Sequence, residues 1–146
     1  EKSPYSISID EFLWGSNMYL LNNAMALLLA NDTLPSERFL RAARSHLNYI
    51  LGANPLGINF ITGADETSPQ NPHHRPSASV GLAMPGMLVG GPDEGLHDLV
   101  AKTLLSGKPS AERYIDSVES YSTNEVAIYW NSVLLYVLAR LSKLEA

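Results

Sequence analysis

Cysteine is absent from the 146 residues, which excludes a disulfide framework, a thiolate metal site and a thiol nucleophile, and says nothing about compartment. Charge is scarce: 17% of residues are Asp, Glu, Lys or Arg, and 15 acids against 10 bases leave −5 before histidine is counted. That balance disfavours nucleic acid and an anionic membrane surface, both of which call for a basic footprint. No strand-period alternation is long enough to build a sheet, and no internal repeat stands out. The opening Glu1-Lys2-Ser3-Pro4 is not the basic start of a targeting segment, so any export signal is expected upstream of residue 1. The uncharged stretch 12–31 has spanning length. However, Ser16, Asn17, Asn22 and Asn23 lie inside it, and polar groups are costly in hydrocarbon, so a buried helix is the better reading.

The 45% apolar composition is that of a globular chain, and the length suits one domain, 1–146, with a real core. Helical spacing predicts long helices near 9–30, 36–52 and 124–144, with Asp10 as a cap for the first, and a short helix over 95–105. The first and last are apolar on more than one face, which implies deep burial. The middle one sets Phe39, Ala43, Leu47 and Ile50 on one side and Arg38, Arg41 and Arg44 on the other, and Gly52 is placed to end it. Residues 53–92 hold six of the nine prolines and six of the ten glycines but three charged residues. A disordered segment would carry more charge and fewer apolar residues, so this is read as an ordered loop packed over something.

Four groups of residues could carry chemistry. Pro72-His73-His74-Arg75-Pro76 could grip hydroxyls through an imidazole and a planar guanidinium, or could be plain surface loop. His73 and His74 alone do not make a metal ligand set. Ser122-x-x-Glu125 before an apolar run reads as a capping box, with Glu125 satisfying an orphan amide. The same Glu125, among Tyr121, Tyr129 and Trp130, could instead be a carboxylic acid poised for proton transfer. Asp116 could share a site with it or be a solvated loop acid. Trp14-Gly15-Ser16-Asn17 could stack an indole on a sugar face or pack in the core.

Taken together these pieces resemble glycoside hydrolase family 9, the inverting cellulase-type enzymes. The family's C-terminal signature is filled by Tyr114-x-Asp116, Tyr121, Glu125, Ala127 and Asn131-Ser132. Residues 48–55 resemble its YILGxNP helix end, Pro72 to Arg75 its H-x-R segment, and Met87 to Pro92 its LVGGP loop; Trp14 to Asn17 is similar to a WGSN stretch of bacterial members. The resemblance implies an all-α fold: the last three long helices of an (α/α)6 toroid plus a long ordered active-site loop, 53–92. It implies Glu125 as general acid, His73 and Arg75 as binders of sugar hydroxyls, Tyr121 and Trp130 as cleft lining, and Asp116 as an active-site acid or a supporting hydrogen-bond partner. Two departures matter. Asp65 and Thr67 stand where the family carries a glycine and a basic or amide residue before PHHR, so glycan specificity is expected to differ. The resemblance also implies that the base belongs to a pair of aspartates in the family's N-terminal part, and no Asp-x-x-Asp motif occurs here to supply it.

The expectation is therefore part of an enzyme that cleaves β-1,4-glucan by inversion, with the isolated chain inactive because its base is missing. The alternatives are an exo-acting β-glucosidase or β-glucosaminidase of the same family, and a non-catalytic helical module for glycan binding or assembly. No cofactor and no metal are expected. The expected partners are a β-glucan and the rest of the catalytic domain or a second copy, with no nucleic acid and no membrane. The family resemblance implies a secreted or periplasmic location.

Overall fold

The computed structural model describes residues 3–145, so Glu1, Lys2 and Ala146 lie outside the account that follows. In order the elements are α1 (Ser16–Thr33), α2 (Glu37–Ile50), α3 (Arg75–Val80), α4 (Leu99–Leu105), a 3-10 turn (Ser110–Glu112), α5 (Tyr121–Asn124) and α6 (Ile128–Glu145). The long helix α1 packs against both α2 and α6. The described residues form isolated β-bridges but no sheet. None of their helices is long and apolar enough to cross a membrane.

Helix α1 starts at Ser16, later than its apolar pattern suggests, and Asp10 does not cap it. Gly15 sets the boundary. It adopts φ 81°, and a Cβ there would lie 3.0 Å from the Trp130 ring, so a glycine turn tucked under the indole precedes the helix. The segment before it is held by His46, whose Nδ1–H donates to the Ala42 carbonyl at 2.6 Å while Nε2 accepts from Ser8 N–H at 3.2 Å. Burial pushes the His46 pKa below its ordinary value, against the opposing pull of that carbonyl. Leu20, Leu21, Ala24 and Leu28 are fully buried, whereas Tyr19 and Leu29 are exposed, so α1 covers the core with one stripe. At its far end Asp32 pairs with Arg140 of α6.

Helix α6 begins at Ile128, past the expected start near 124, because 125–126 are pulled into extended pairing. Val126 bridges Val89, and Glu125 sits at φ −64°, ψ 154°. Trp130, Leu134, Val137 and Leu141 then recur at helical spacing and are buried.

The 53–92 loop is tied by backbone rungs. Phe60 N–H donates to Ile50 O at 2.9 Å, Val89 N–H to Phe60 O at 3.1 Å, and Gly90 N–H to Glu125 O at 2.9 Å. Phe60, Leu88 and Val89 are fully buried, each contributing roughly 1.5–3 kcal/mol relative to exposure. Gly91 is required here: it adopts φ 87°, and a Cβ would fall 2.5 Å from the Asn17 side chain. Asn17 in turn donates from Nδ2 to Val89 O at 2.9 Å, which explains a buried asparagine inside an apolar helix. Short helix α3, which the proline-rich sequence concealed, starts at Arg75 with Pro76 in its first turn, a place where proline's missing N–H costs nothing.

Candidate active site

The segment carrying Glu125 is anchored from below by Asp98. Its Oδ1 accepts the Ala101 N–H at 2.7 Å and so caps α4. Its Oδ2 accepts Ser122 N–H at 3.0 Å, Ser122 Oγ–H at 2.7 Å and Ser120 Oγ–H at 2.8 Å. One buried carboxylate thus holds the starts of two helical turns, where a negative charge also meets favourable dipoles. Burial pushes its pKa up, but the hydrogen bonds from Ala101, Ser122 and Ser120 outweigh this and hold it below the usual carboxylate range. The capping-box reading fails on this geometry. Ser122 lies inside α5 and spends its hydroxyl on Asp98, while Glu125 is extended and three residues short of α6.

Asp116 is a second anchor. It accepts the N–H groups of Gln70 and Asn71, each at 2.8 Å, together with Asn71 Nδ2 at 3.2 Å and Asn124 Nδ2 at 3.0 Å. Asn124 is the hub behind it, taking the Tyr114 hydroxyl on Oδ1 at 2.7 Å and donating to Asn71 O at 2.6 Å. These bonds dock the 70–73 stretch against 114–125. His73 N–H then donates to Asn124 O at 2.8 Å, and its Nδ1–H donates to Val118 O at 2.5 Å. With Nδ1 committed as donor, Nε2 is the edge left to meet a ligand.

At the rim, the Trp14 indole N–H donates to Glu125 Oε2 at 3.2 Å. This is the only hydrogen bond to that carboxylate among the described residues. Trp14 lies beside Tyr121 (centroids 5.4 Å apart) and stacks on His97 (5.5 Å), while His73 meets the Tyr121 ring edge-on at 6.2 Å. The fold therefore brings Glu125, Trp14, Tyr121 and His73 together, with Asp116 immediately behind. Arg75 opens α3 next door, its side chain exposed and without a hydrogen bond or ion pair among the described residues. Trp130 stands apart from the group. It is 2% exposed, with its ring against Gly15 and Gly90, and so supports the rim from inside and does not line it. A cavity of about 390 Å³ lies alongside, lined by His74, Met87, Val126, Asn131 and Leu135; it does not include Glu125. Asn131 is tied to the loop, its Oδ1 accepting Leu88 N–H at 2.9 Å.

Comparison with known proteins decides the family: the sequence model of glycosyl hydrolase family 9 matches residues 2–138. The chain belongs to glycosyl hydrolase family 9. A cellodextrinase of Butyrivibrio fibrisolvens is 42% identical to this family 9 chain over 133 residues, 89% of the chain and 24% of that protein. A xyloglucan-specific endo-β-1,4-glucanase of Bacteroides ovatus is 36% identical over 145 residues, 97% of the chain and 24% of that protein. A single mutant of a thermostable endoglucanase from Alicyclobacillus acidocaldarius superposes with a TM-score of 0.90 at 47% identity, covering 95% of this chain and 27% of that one. An enzyme solved with cellobiose-like isofagomine also gives 0.90, at 46% identity, covering 99% of this chain and 28% of that one. The chain thus spans about a quarter of these family 9 relatives. Helices α1, α2 and α6 are the long helices of the C-terminal portion of the (α/α)6 toroid.

Sequence reasoning passed over Asp98 and Asn124. The signal for Asp98 was available, since an Asp directly before the apolar Leu99-Val100-Ala101 is an N-cap pattern. Nothing local marks Asn124, whose partners come from 71, 114 and 116.

Proposed function

We propose that this chain supplies the general acid of an inverting β-1,4-glucan hydrolase, with Glu125 as proton donor. What carries the reading is the carboxylate itself, half-buried at an aromatic rim with a single donor on Oε2. The second oxygen, Oε1, is free to carry a proton to the glycosidic oxygen as the C1–O bond breaks. Trp14 and Tyr121 offer faces for a pyranose ring. His73 Nε2 and the Arg75 guanidinium offer hydrogen bonds to its hydroxyls. Asp116 acts by holding the 70–73 stretch in place.

Inversion requires a second carboxylate about 6.5–9.5 Å from the acid, with the attacking water between. That base is proposed to come from outside these 146 residues, in the part of the catalytic domain that the relatives possess and this chain does not span. The exposed apolar side chains Ile128, Leu135 and Leu29 are proposed to pack against that part or, in the chain alone, against a second copy. A polymeric glucan lies outside the cell, which favours a secreted or periplasmic location for the parent.

The test is to incubate the purified 146-residue chain with a soluble cellulose derivative and assay reducing ends, with and without the remainder of the catalytic domain. The expected result is no turnover alone and turnover on recombination. Ordinary glycosidase rates from the chain alone would overturn the proposal.

A further inference from the structure

Immediately after the LVGGP loop, at residues 93–97, the chain spends unusual local structure on one half-exposed histidine. Asp93 is fully buried. Its Oδ1 accepts Gly95 N–H at 3.0 Å, and its Oδ2 accepts His97 N–H at 3.3 Å and the His97 Nδ1–H at 2.7 Å. Leu96 adopts φ 48°, a left-handed conformation that costs a bulky residue energy and persists only where the surroundings impose it. Gly95 cannot be anything else without moving the ring: a Cβ there would lie 2.2 Å from His97 Cε1. The left-handed Leu96 sends its own side chain into a small cluster with Ala101 and Leu105, whereas the Asp93 bonds and the Gly95 approach fix the imidazole, 49% of whose side chain is accessible, so the ring itself is not a core-packing group.

The ring's partner is Trp14. The imidazole stacks on the indole at 5.5 Å with planes 29° apart, and the Tyr121 ring lies tilted against the same indole at 5.4 Å. The Tyr121 hydroxyl donates to the His97 carbonyl at 2.8 Å, which ties these two neighbours of the indole to each other. The indole N–H of the Trp14 they both touch donates to Glu125 Oε2. We infer that His97, anchored on Asp93, is a positioning residue: with Tyr121 it clamps Trp14 so that the indole N–H stays on Glu125 Oε2. This arrangement gives Glu125 one fixed oxygen and leaves the other for the proton, and its catalytic meaning rests on the general-acid reading above. A group that must be placed to a fraction of an ångström needs its neighbours locked as well.

The experiment reads the clamp without requiring hydrolysis. The chain has two tryptophans, so a nitrogen-15 spectrum has two indole N–H signals, with buried Trp130 as the internal control of folding. The measured quantity is the solvent-exchange rate of the Trp14 indole proton. Glu125→Ala removes the acceptor and defines the released rate. His97→Ala should bring the rate to that value while the Trp130 signal stays in place. An unchanged rate with Trp130 in place would overturn the clamp. If His97→Ala disturbs Trp130, His97→Phe decides the matter: it keeps a ring over the indole but cannot bond Asp93, and it should exchange faster than wild type. An unchanged rate in that variant overturns the proposal equally. Failure of the general-acid reading shows elsewhere, as undiminished glucan hydrolysis by Glu125→Gln in the complete enzyme.

Discussion

Asp116 and Glu125 stand nine residues apart on one segment, yet Asp116 receives four N–H donors and Glu125 receives one. An ionised carboxylate has about four lone-pair sites, so the bonds to Asp116 use its whole capacity. It has nothing left to offer a substrate and much to offer the fold. Glu125 is the reverse: its backbone is pinned by Gly90 and its Oε2 by Trp14, while Oε1 stays uncommitted. On the proposed function, two acids in one motif divide into a fastener and a reagent, and the count of donors separates them where spacing does not.

The largest expected effect falls on Glu125, the proposed proton donor. Glu125→Gln in the complete enzyme should lower hydrolysis of natural glucans by roughly 10²–10⁴-fold, because the amide keeps the shape but cannot donate the acidic proton. Its urea midpoint should match wild type, which would set it apart from a capping residue.

Asp116→Asn should reverse that pattern. The introduced amide turns a donor toward N–H groups that need an acceptor, and stranded donors cost about 1–3 kcal/mol. Urea unfolding should report that loss, with any fall in activity following from the displaced 70–73 stretch. A variant of full stability would break the comparison.

Arg75→Lys tests the hydroxyl grip on a smaller scale. Charge is kept and the planar fork is lost, so kcat/KM of the complete enzyme should fall by about tenfold, the value of one hydrogen bond. An unchanged kcat/KM would remove Arg75 from the substrate contacts.

The smallest effect concerns Asp98, the anchor beneath the segment that carries Glu125. Asp98 has a folded-state pKa below that of the unfolded chain. Its contribution to stability is therefore fully present above the unfolded value, about 4, and is lost as pH falls through the folded value. Acid titration of the urea midpoint should fall less steeply below that point in Asp98→Asn than in wild type.

Much of this was legible in the sequence. Motif order placed Glu125, His73 and Arg75 in one family frame, and the low charge of 53–92 marked an ordered loop. What was not legible depends on distant partners. Helical periodicity could not reveal that Val89 draws Val126 out of α6, or that Asp98 takes the Ser122 hydroxyl a capping box would need. Nor could it reveal that the Trp130 indole fills the space left by Gly15 and Gly90, because the sheer size of tryptophan suits a cleft wall and a core equally.

The division of labour between the two carboxylates is tested most directly by varying the leaving group in the complete enzyme. The measurement compares kcat/KM on a cello-oligosaccharide with that on a cellobioside of a strongly acidic phenol, which departs without protonation, in wild type, Glu125→Gln and Asp116→Asn. The account predicts that Glu125→Gln regains most of its lost rate on the activated substrate, whereas Asp116→Asn is impaired equally on both. Equal losses on both substrates in Glu125→Gln, or selective recovery in Asp116→Asn, would contradict it.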